Sequence, residues 1–224
     1  MGQTRRPAVC GTPGHVRTET LRTAILLLGA ASLFAQERPG LFFREDWKET
    51  PAAEPVTQDH VANPDLILSL YGPGKSGIKK SHHDTPADDP FYIWSGDCTA
   101  NWAVTLRHRS AFADLTGRAK IRWRTEQAGF RELRIVLKLA DGTWLVSDQS
   151  DGPSRDWRVR EFNIGDIHWR RLHIDSVLED AWVEKPDLSR VDEIGFTDLM
   201  RGGGSPACSR LDWIEVYGGK RARN

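Results

Sequence analysis

From Asn101 to Tyr217, apolar and polar residues alternate with a period close to two. That is the spacing of strands that bury one face and show the other to water. Trp102–His108 sets Trp102, Val104 and Leu106 against Ala103, Thr105 and Arg107. Ala119–Glu126 sets Ile121 and Trp123 against Arg122 and Arg124, and Glu132–Leu139 places Leu133, Ile135, Leu137 and Leu139 on one face. Asp141-Gly142 then marks a tight hairpin turn into Thr143–Ser147. Arg158–Ile164 and His168–Ile174 follow, and Leu41–Trp47 and Asp65–Tyr71 supply two earlier strands. The last two runs are Val191–Thr197 and Arg210–Tyr217. In the final run Leu211, Trp213, Glu215 and Tyr217 point one way and Asp212, Ile214 and Val216 the other. Helical periodicity is nearly absent. About ten short strands separated by turn signals predict an all-β fold, an antiparallel β-sandwich or jelly roll.

Between these runs the pattern lapses. Lys48–Asn63, rich in Pro, Ala and Glu, reads as a loop. Gly72–Pro90 has little apolar content and reads as a long surface loop, a feature that often carries function. Ser176–Trp182 reads as a short helix or irregular segment. The tail at 219–224 is polar and is expected to be disordered.

The chain begins differently. Four arginines precede the apolar run AILLLGAASLFA at 24–35, which has the length of a signal-peptide core and is too short to span a bilayer. Residues 1–35 are read as a signal peptide with cleavage after Ala35, and 36–218 as a single domain. The mature chain then has 27 Lys and Arg against 30 Asp and Glu, a net charge of −3. That balance gives no support for nucleic acid or an anionic membrane surface as a partner, and the mature chain contains no transmembrane segment. Export to the periplasm or the extracellular space changes the reading of the cysteines. Cys10 leaves with the signal, and Cys98 and Cys208 remain, in an oxidising compartment that favours a disulfide over two free thiols.

The pattern V-D-E-I-G-F at 191–196, followed by a loop and L-D-W-I-E-V-Y-G at 211–218, resembles the last two strands of galactose-binding-like β-sandwiches. Such domains occur among carbohydrate-binding modules and in the complex I intermediate-associated family. The resemblance implies a jelly roll and, as a function, carbohydrate binding without catalysis. Assembly or scaffolding is the alternative that the second family brings. It also implies a structural calcium ion where first and last strands meet, with Asp212 and Asp46, or Glu45, as ligands. Calcium needs six to eight oxygens. An arginine partner for Asp212, such as Arg44 or Arg210, is the competing arrangement.

Candidate binding residues follow from chemistry. All nine tryptophans lie in the mature part. Trp123 and Trp213 have apolar neighbours at alternate positions and are assigned to the core. Trp94, in YIWSG, and Trp144, beside the hairpin turn, are candidates for exposure. An exposed indole offers its negative π-face to the C–H groups of a sugar ring. His82 and His83 in the long loop, with Tyr92 nearby, could bind a ligand or serve as a base; their spacing is not that of a zinc site. Arg122 and Arg124, with Arg134 and Lys138 on a strand expected to be adjacent and Arg107 extending the row, form a basic face suited to carboxylates or sulfates. An acidic polysaccharide would suit such a face, bound or cleaved by a lyase or hydrolase. In a lyase Tyr92, His82, His83 and Arg124 would supply base and neutralising cation. Asp148, Asp198 and Arg201 lie at strand ends or in loops and complete the candidate ligand set. No G-x-S-x-G, H-E-x-x-H or phosphate-loop motif is present.

Overall fold

The computed structural model describes residues 38–200 and 207–223. The expected signal peptide at 1–35 and Arg201 lie outside the described residues. Fifteen strands are present among those described: β1 Leu41–Glu45, β2 Leu66–Tyr71, β3 Lys79–Ser81, β4 Tyr92–Trp94, β5 Trp102–His108, β6 Ala111–Asp114, β7 Lys120–Gln127, β8 Leu133–Leu139, β9 Trp144–Asp151, β10 Arg158–Asn163, β11 Trp169–His173, β12 Leu178–Val183, β13 Val191–Asp198, β14 Ser209–Tyr217 and β15 Gly219–Ala222. The fold is an all-β sandwich of two antiparallel sheets. One has six strands in the order β10-β7-β14-β4-β3, with β1 also paired to β14. The other has nine, in the order β12-β11-β9-β8-β13-β5-β2, with β6 joining β13 and β15.

Period-two alternation explains the layers. In β7 Ile121, Trp123 and Thr125 are buried while Lys120, Arg122, Arg124 and Glu126 are half-exposed. Trp123 packs edge-on against Phe162 of β10, with centroids 5.0 Å apart, and against Phe196 of β13 at 6.4 Å, which joins the sheets through one ring. Its indole N–H donates to Asp151 at 3.0 Å. Asp151 also accepts from Thr125 at 2.5 Å and from Arg158 at 2.5 Å, so a fully buried carboxylate is satisfied rather than orphaned.

The final strand departs from strict alternation. β14 shifts register against β7 between Leu211, opposite Thr125, and Trp213, opposite Arg124. The extra residue, Asp212, is a bulge. Leu211 lies inward before it and Ile214 and Val216 lie inward after it, all fully buried. Trp213, Glu215 and Tyr217 therefore face outward, and the assignment of Trp213 to the core is corrected.

Four further expectations change. β7 and β8 are not neighbours: β7 belongs to the six-stranded sheet and β8 to the nine-stranded one. Arg122 and Arg124 thus lie on the opposite side of the sandwich from Arg134, Lys138 and Arg107, because the connection between the two strands crosses from sheet to sheet. The segment at 176–182 contributes to the edge strand β12. The long loop contains β3 and buries Ile78. The C-terminal tail forms β15, paired with β6 from Gly219 opposite Asp114 to Ala222 opposite Ala111. Its arginines find partners: Arg221 donates to Asp114 at 2.5 Å, and the Arg223 guanidinium lies 4.1 Å over Phe112 and pairs with Asp192.

Cys98 and Cys208 are both buried and both free, so the bridge expected from the sequence is not formed in this structure. The flanking segments are tied by Ser95 N–H to Ser209 O at 3.0 Å and Ser209 N–H to Ser95 Oγ at 3.0 Å. The Trp102 indole N–H points at Cys98 Sγ, 3.2 Å away.

Candidate functional site

The outer face of the six-stranded sheet collects five aromatic side chains from three segments. Trp213 and Tyr217 come from β14, Tyr92 and Trp94 from β4, and Trp157 from the loop leading into β10. Trp94, Trp157, Trp213 and Tyr217 are half-buried, and Tyr92 is buried beneath the group. Pairing sets their order. Arg210 lies opposite Trp94, Trp213 opposite Arg124, and Tyr217 opposite Lys120. Tyr92 and Trp157 touch, with centroids 5.3 Å apart.

Cations interleave with the rings. Arg44 lies 4.5 Å over Trp213 and Arg122 5.9 Å from it, Arg124 lies 5.5 Å over Trp157, Lys120 5.0 Å over Tyr217, and Lys79 5.3 Å over Trp94. Each cation also has a carboxylate. Arg44 pairs with Asp46 and Glu215, both at 2.5 Å, and Arg122 with Glu215 at 3.3 Å and Glu161 at 3.4 Å. Lys120 pairs with Glu161 at 2.9 Å, Arg124 with Asp212 at 2.7 Å, Arg210 with Glu126 at 2.8 Å and Lys79 with Glu54 at 3.0 Å. Burial pushes the Asp212 carboxyl up, against the opposing pull of Arg124. The Arg44 guanidinium is driven well above its ordinary range by its hydrogen bond to Asp46.

This arrangement presents flat apolar rings among charged groups held in place by one another. It can stack against an apolar ring face and hydrogen-bond hydroxyls on either side, with donors and acceptors oriented in advance.

The calcium donor set does not fit its ion. Glu45 is buried and accepts from the backbone N–H groups of Trp47 at 2.9 Å, Ala62 at 2.7 Å and Asn63 at 3.0 Å. Asp46 and Asp212 face Arg44 and Arg124, the latter an arginine other than the two expected. Among the described residues no group of three or more His, Cys, Asp or Glu side chains could hold a metal ion.

The structure brings together Tyr92, Trp94, Arg122 and Arg124 on this face, with His83 at its edge. His83 Nδ1 lies 3.0 Å from Asp89 and 3.3 Å from the Tyr92 hydroxyl. His82 instead stacks on Phe91, with centroids 3.9 Å apart. Three candidates lie elsewhere. Trp144 is on the outer face of the nine-stranded sheet, edge-on to Tyr71 at 4.9 Å. Asp148 holds His168 at the rim of a groove of about 830 Å³ lined by Trp169 and Trp182. Asp198 is buried beside Arg131 and Ser209, a structural cluster. Reading the sequence alone misses Trp157, Trp213, Tyr217 and Arg44. For Trp213 a signal exists: Asp212 sits in the set with Ile214 and Val216, and a carboxylate in an inward-facing set marks a slip in phase. For Trp157 the signal is its place at the end of the polar stretch GPSRD.

No family model matches the chain, and no curated protein sequence matches it. Solved structures to which the chain as a whole is similar include a family 11 carbohydrate-binding module from Clostridium thermocellum in complex with a β-1,3-1,4-mixed-linked tetrasaccharide. It is 14% identical, with a TM-score of 0.46 over 77% of this chain and 98% of that one. A mutant family 29 carbohydrate-binding module is 12% identical, with a TM-score of 0.42 over 79% of this chain and 92% of that one. An exo-β-agarase is 7% identical, with a TM-score of 0.43 over 78% of this chain but 26% of the agarase.

Proposed function

We propose that this chain is an exported, non-catalytic carbohydrate-binding β-sandwich, and that glycan lies along the outer face of the six-stranded sheet. The observation that carries this reading is the row of Trp94, Tyr92, Trp157, Trp213 and Tyr217 on one sheet face, interleaved with ion-paired arginines and lysines. Stacking supplies affinity that tolerates different hydroxyl patterns, and the paired charges supply orientation. Along the row the cations already have carboxylates, which favours hydroxyl-rich stretches of glycan over a continuous polyanion. Affinity electrophoresis of the purified protein through gels containing neutral and acidic polysaccharides tests the reading. Retardation by at least one glycan is expected, and free migration through every gel would sink it.

A lyase reading has one observation in its favour, the Asp89–His83–Tyr92 contact chain, which reaches Trp157 and through it Arg124. Both partners of His83 meet the same ring nitrogen, and Arg124 is engaged by Asp212, so the cation needed to neutralise a uronate is occupied. Incubation with uronate polymers, monitored for the ultraviolet absorbance of an unsaturated product, separates the two readings, and no absorbance is expected.

Export would place Cys98 and Cys208 in an oxidising compartment. Their segments, tied through Ser95 and Ser209, are then where the bridge suggested by the sequence would close. Counting free thiols in protein recovered from the exported fraction tests this.

A further inference from the structure

At one end of the aromatic row the charge balance changes. A pocket of about 480 Å³ is lined by Arg38, Arg118, Lys120, Asn163, Glu161 and Tyr217, with Pro39. Lys120, Glu161 and Tyr217 also belong to the row, so the pocket continues it. Among the described lining residues three cations meet one carboxylate. Glu161 is already shared by Lys120 at 2.9 Å and Arg122 at 3.4 Å. Arg38 and Arg118 make no ion pair and no side-chain hydrogen bond among the described residues, and both are exposed. Elsewhere along the row, Arg44, Arg122, Arg124, Arg210 and Lys79 each have a carboxylate within 4 Å.

The two situations differ chemically. A paired guanidinium has spent its planar fork on a carboxylate, and a second anion would have to displace the first. An unpaired guanidinium offers the whole fork. Two of them beside an ammonium, facing a cavity wide enough for a sugar substituent, make a place for an oxyanion. Tyr217, with Lys120 5.0 Å over its ring, contributes to the pocket lining.

We infer that this pocket is an anion subsite at the end of the glycan row, taking a carboxylate or sulfate borne on a saccharide whose neutral remainder lies on the aromatic rings. The inference rests on the reading of the row as a glycan site, and it names the class of ligand: a glycan that is neutral over most of its length and carries an acidic substituent. It also relocates the acidic partner expected from Arg122 and Arg124 to Arg38 and Arg118.

The test uses mixed-linkage β-glucan, galactomannan and agarose, each before and after partial oxidation of its primary hydroxyls to carboxylates. Affinity electrophoresis measures binding of the purified protein to each pair. At about 0.02 M salt a carboxylated polymer is expected to bind about two- to tenfold more tightly than its neutral parent, the range that one or two exposed charge pairs supply. The gap should close at about 0.5 M salt, where the screening length is only a few Å. In the double variant Arg38→Gln/Arg118→Gln the gap should close at low salt, with neutral binding and melting temperature unchanged. Equal binding of parent and oxidised polymer by the native protein would overturn the anion subsite while leaving the row intact. A gap that persists in the double variant would overturn the assignment to Arg38 and Arg118. Failure to bind any polymer of either kind would remove both the subsite and the glycan reading.

Discussion

The two outer faces of the sandwich are built from the same alternation and end up doing different things. On the nine-stranded side, Ala103, Val136 and Val146 point outward and are then covered by Leu172 and Val177, giving a second small core. The polar groups there turn inward on each other. Glu193, only 4% exposed, accepts from Thr105 at 2.6 Å, Tyr71 at 2.9 Å and Lys138 at 2.8 Å. On the six-stranded side the outward residues are aromatic and charged, and Trp94, Trp157, Trp213 and Tyr217 keep part of their surface in solvent. The two half-buried rings beside the Glu193 cluster, Tyr71 and Trp144, pack edge-on against each other at 4.9 Å, whereas the six-stranded side sets four half-buried rings along one face.

Breaking the covered face should produce the largest effect. Glu193→Ala leaves three donors facing a cavity and is expected to cost about 2–4 kcal/mol of unfolding free energy. Urea denaturation would measure this, and glycan retardation at native temperature should be unchanged. A small stability loss would mean that Glu193 is not the clamp the geometry describes.

A second effect sharpens the picture from inside the six-stranded sheet. Lys80 on β3 is buried, and among the described residues its ammonium has no hydrogen-bond partner and lies 4.6 Å from the ring of Phe91. Burial lowers its pKa from 10.5 to about 8. Between about pH 8 and 10.5 the folded chain has lost this proton and the unfolded chain still holds it. The unfolded state binds more protons in that window, so this group's contribution makes stability rise with pH across it, and the full penalty is present below it. Lys80→Met is therefore expected to stabilise by about 1–2 kcal/mol at pH 7 and by much less at pH 10. Equal gains at both pH values would show that the lysine is not held as a strained cation.

Much of the fold is legible in the amino-acid sequence itself. The inward residues of β5, β7 and β8 follow strict alternation, and hairpin chemistry at Asp141-Gly142 places β9 beside β8. What alternation cannot convey is which sheet a strand joins. Arg124 and Arg134 look like neighbours because they are ten residues apart on consecutive strands, yet they face opposite sides. A single-residue bulge at Asp212 then inverts everything after it, turning Trp213 from core to surface. The tail looks disordered only as long as its basic residues are taken to be solvated. Asp114 and Asp192 pair with them from neighbouring strands, and sequence distance hides both partners. At the site, Tyr92, Trp94, Arg122 and Arg124 follow from side-chain chemistry, whereas Trp213 and Tyr217 depend on the register and Trp157 on the course of the loop before β10.

A smaller effect concerns Arg124. Arg124→Gln removes the partner of Asp212 and the cation over Trp157, and is expected to weaken glycan binding about two- to fivefold, with a stability loss near 1 kcal/mol. Parallel affinity gels and thermal melts would separate the two parts.

The most direct test compares one tryptophan from each face. Titration of the purified protein and of Trp213→Ala and Trp144→Ala with a retained glycan, followed by calorimetry, reads affinity and stability together. Trp213→Ala is expected to lose about tenfold or more in affinity, as stacked aromatic anchors do. Trp144→Ala, which loses its edge contact with Tyr71 and the cation of Lys138, should lose about 1–2 kcal/mol of stability and keep its affinity. Loss of affinity in Trp144→Ala with full affinity in Trp213→Ala would place the ligand on the nine-stranded side and contradict the assignment of the site.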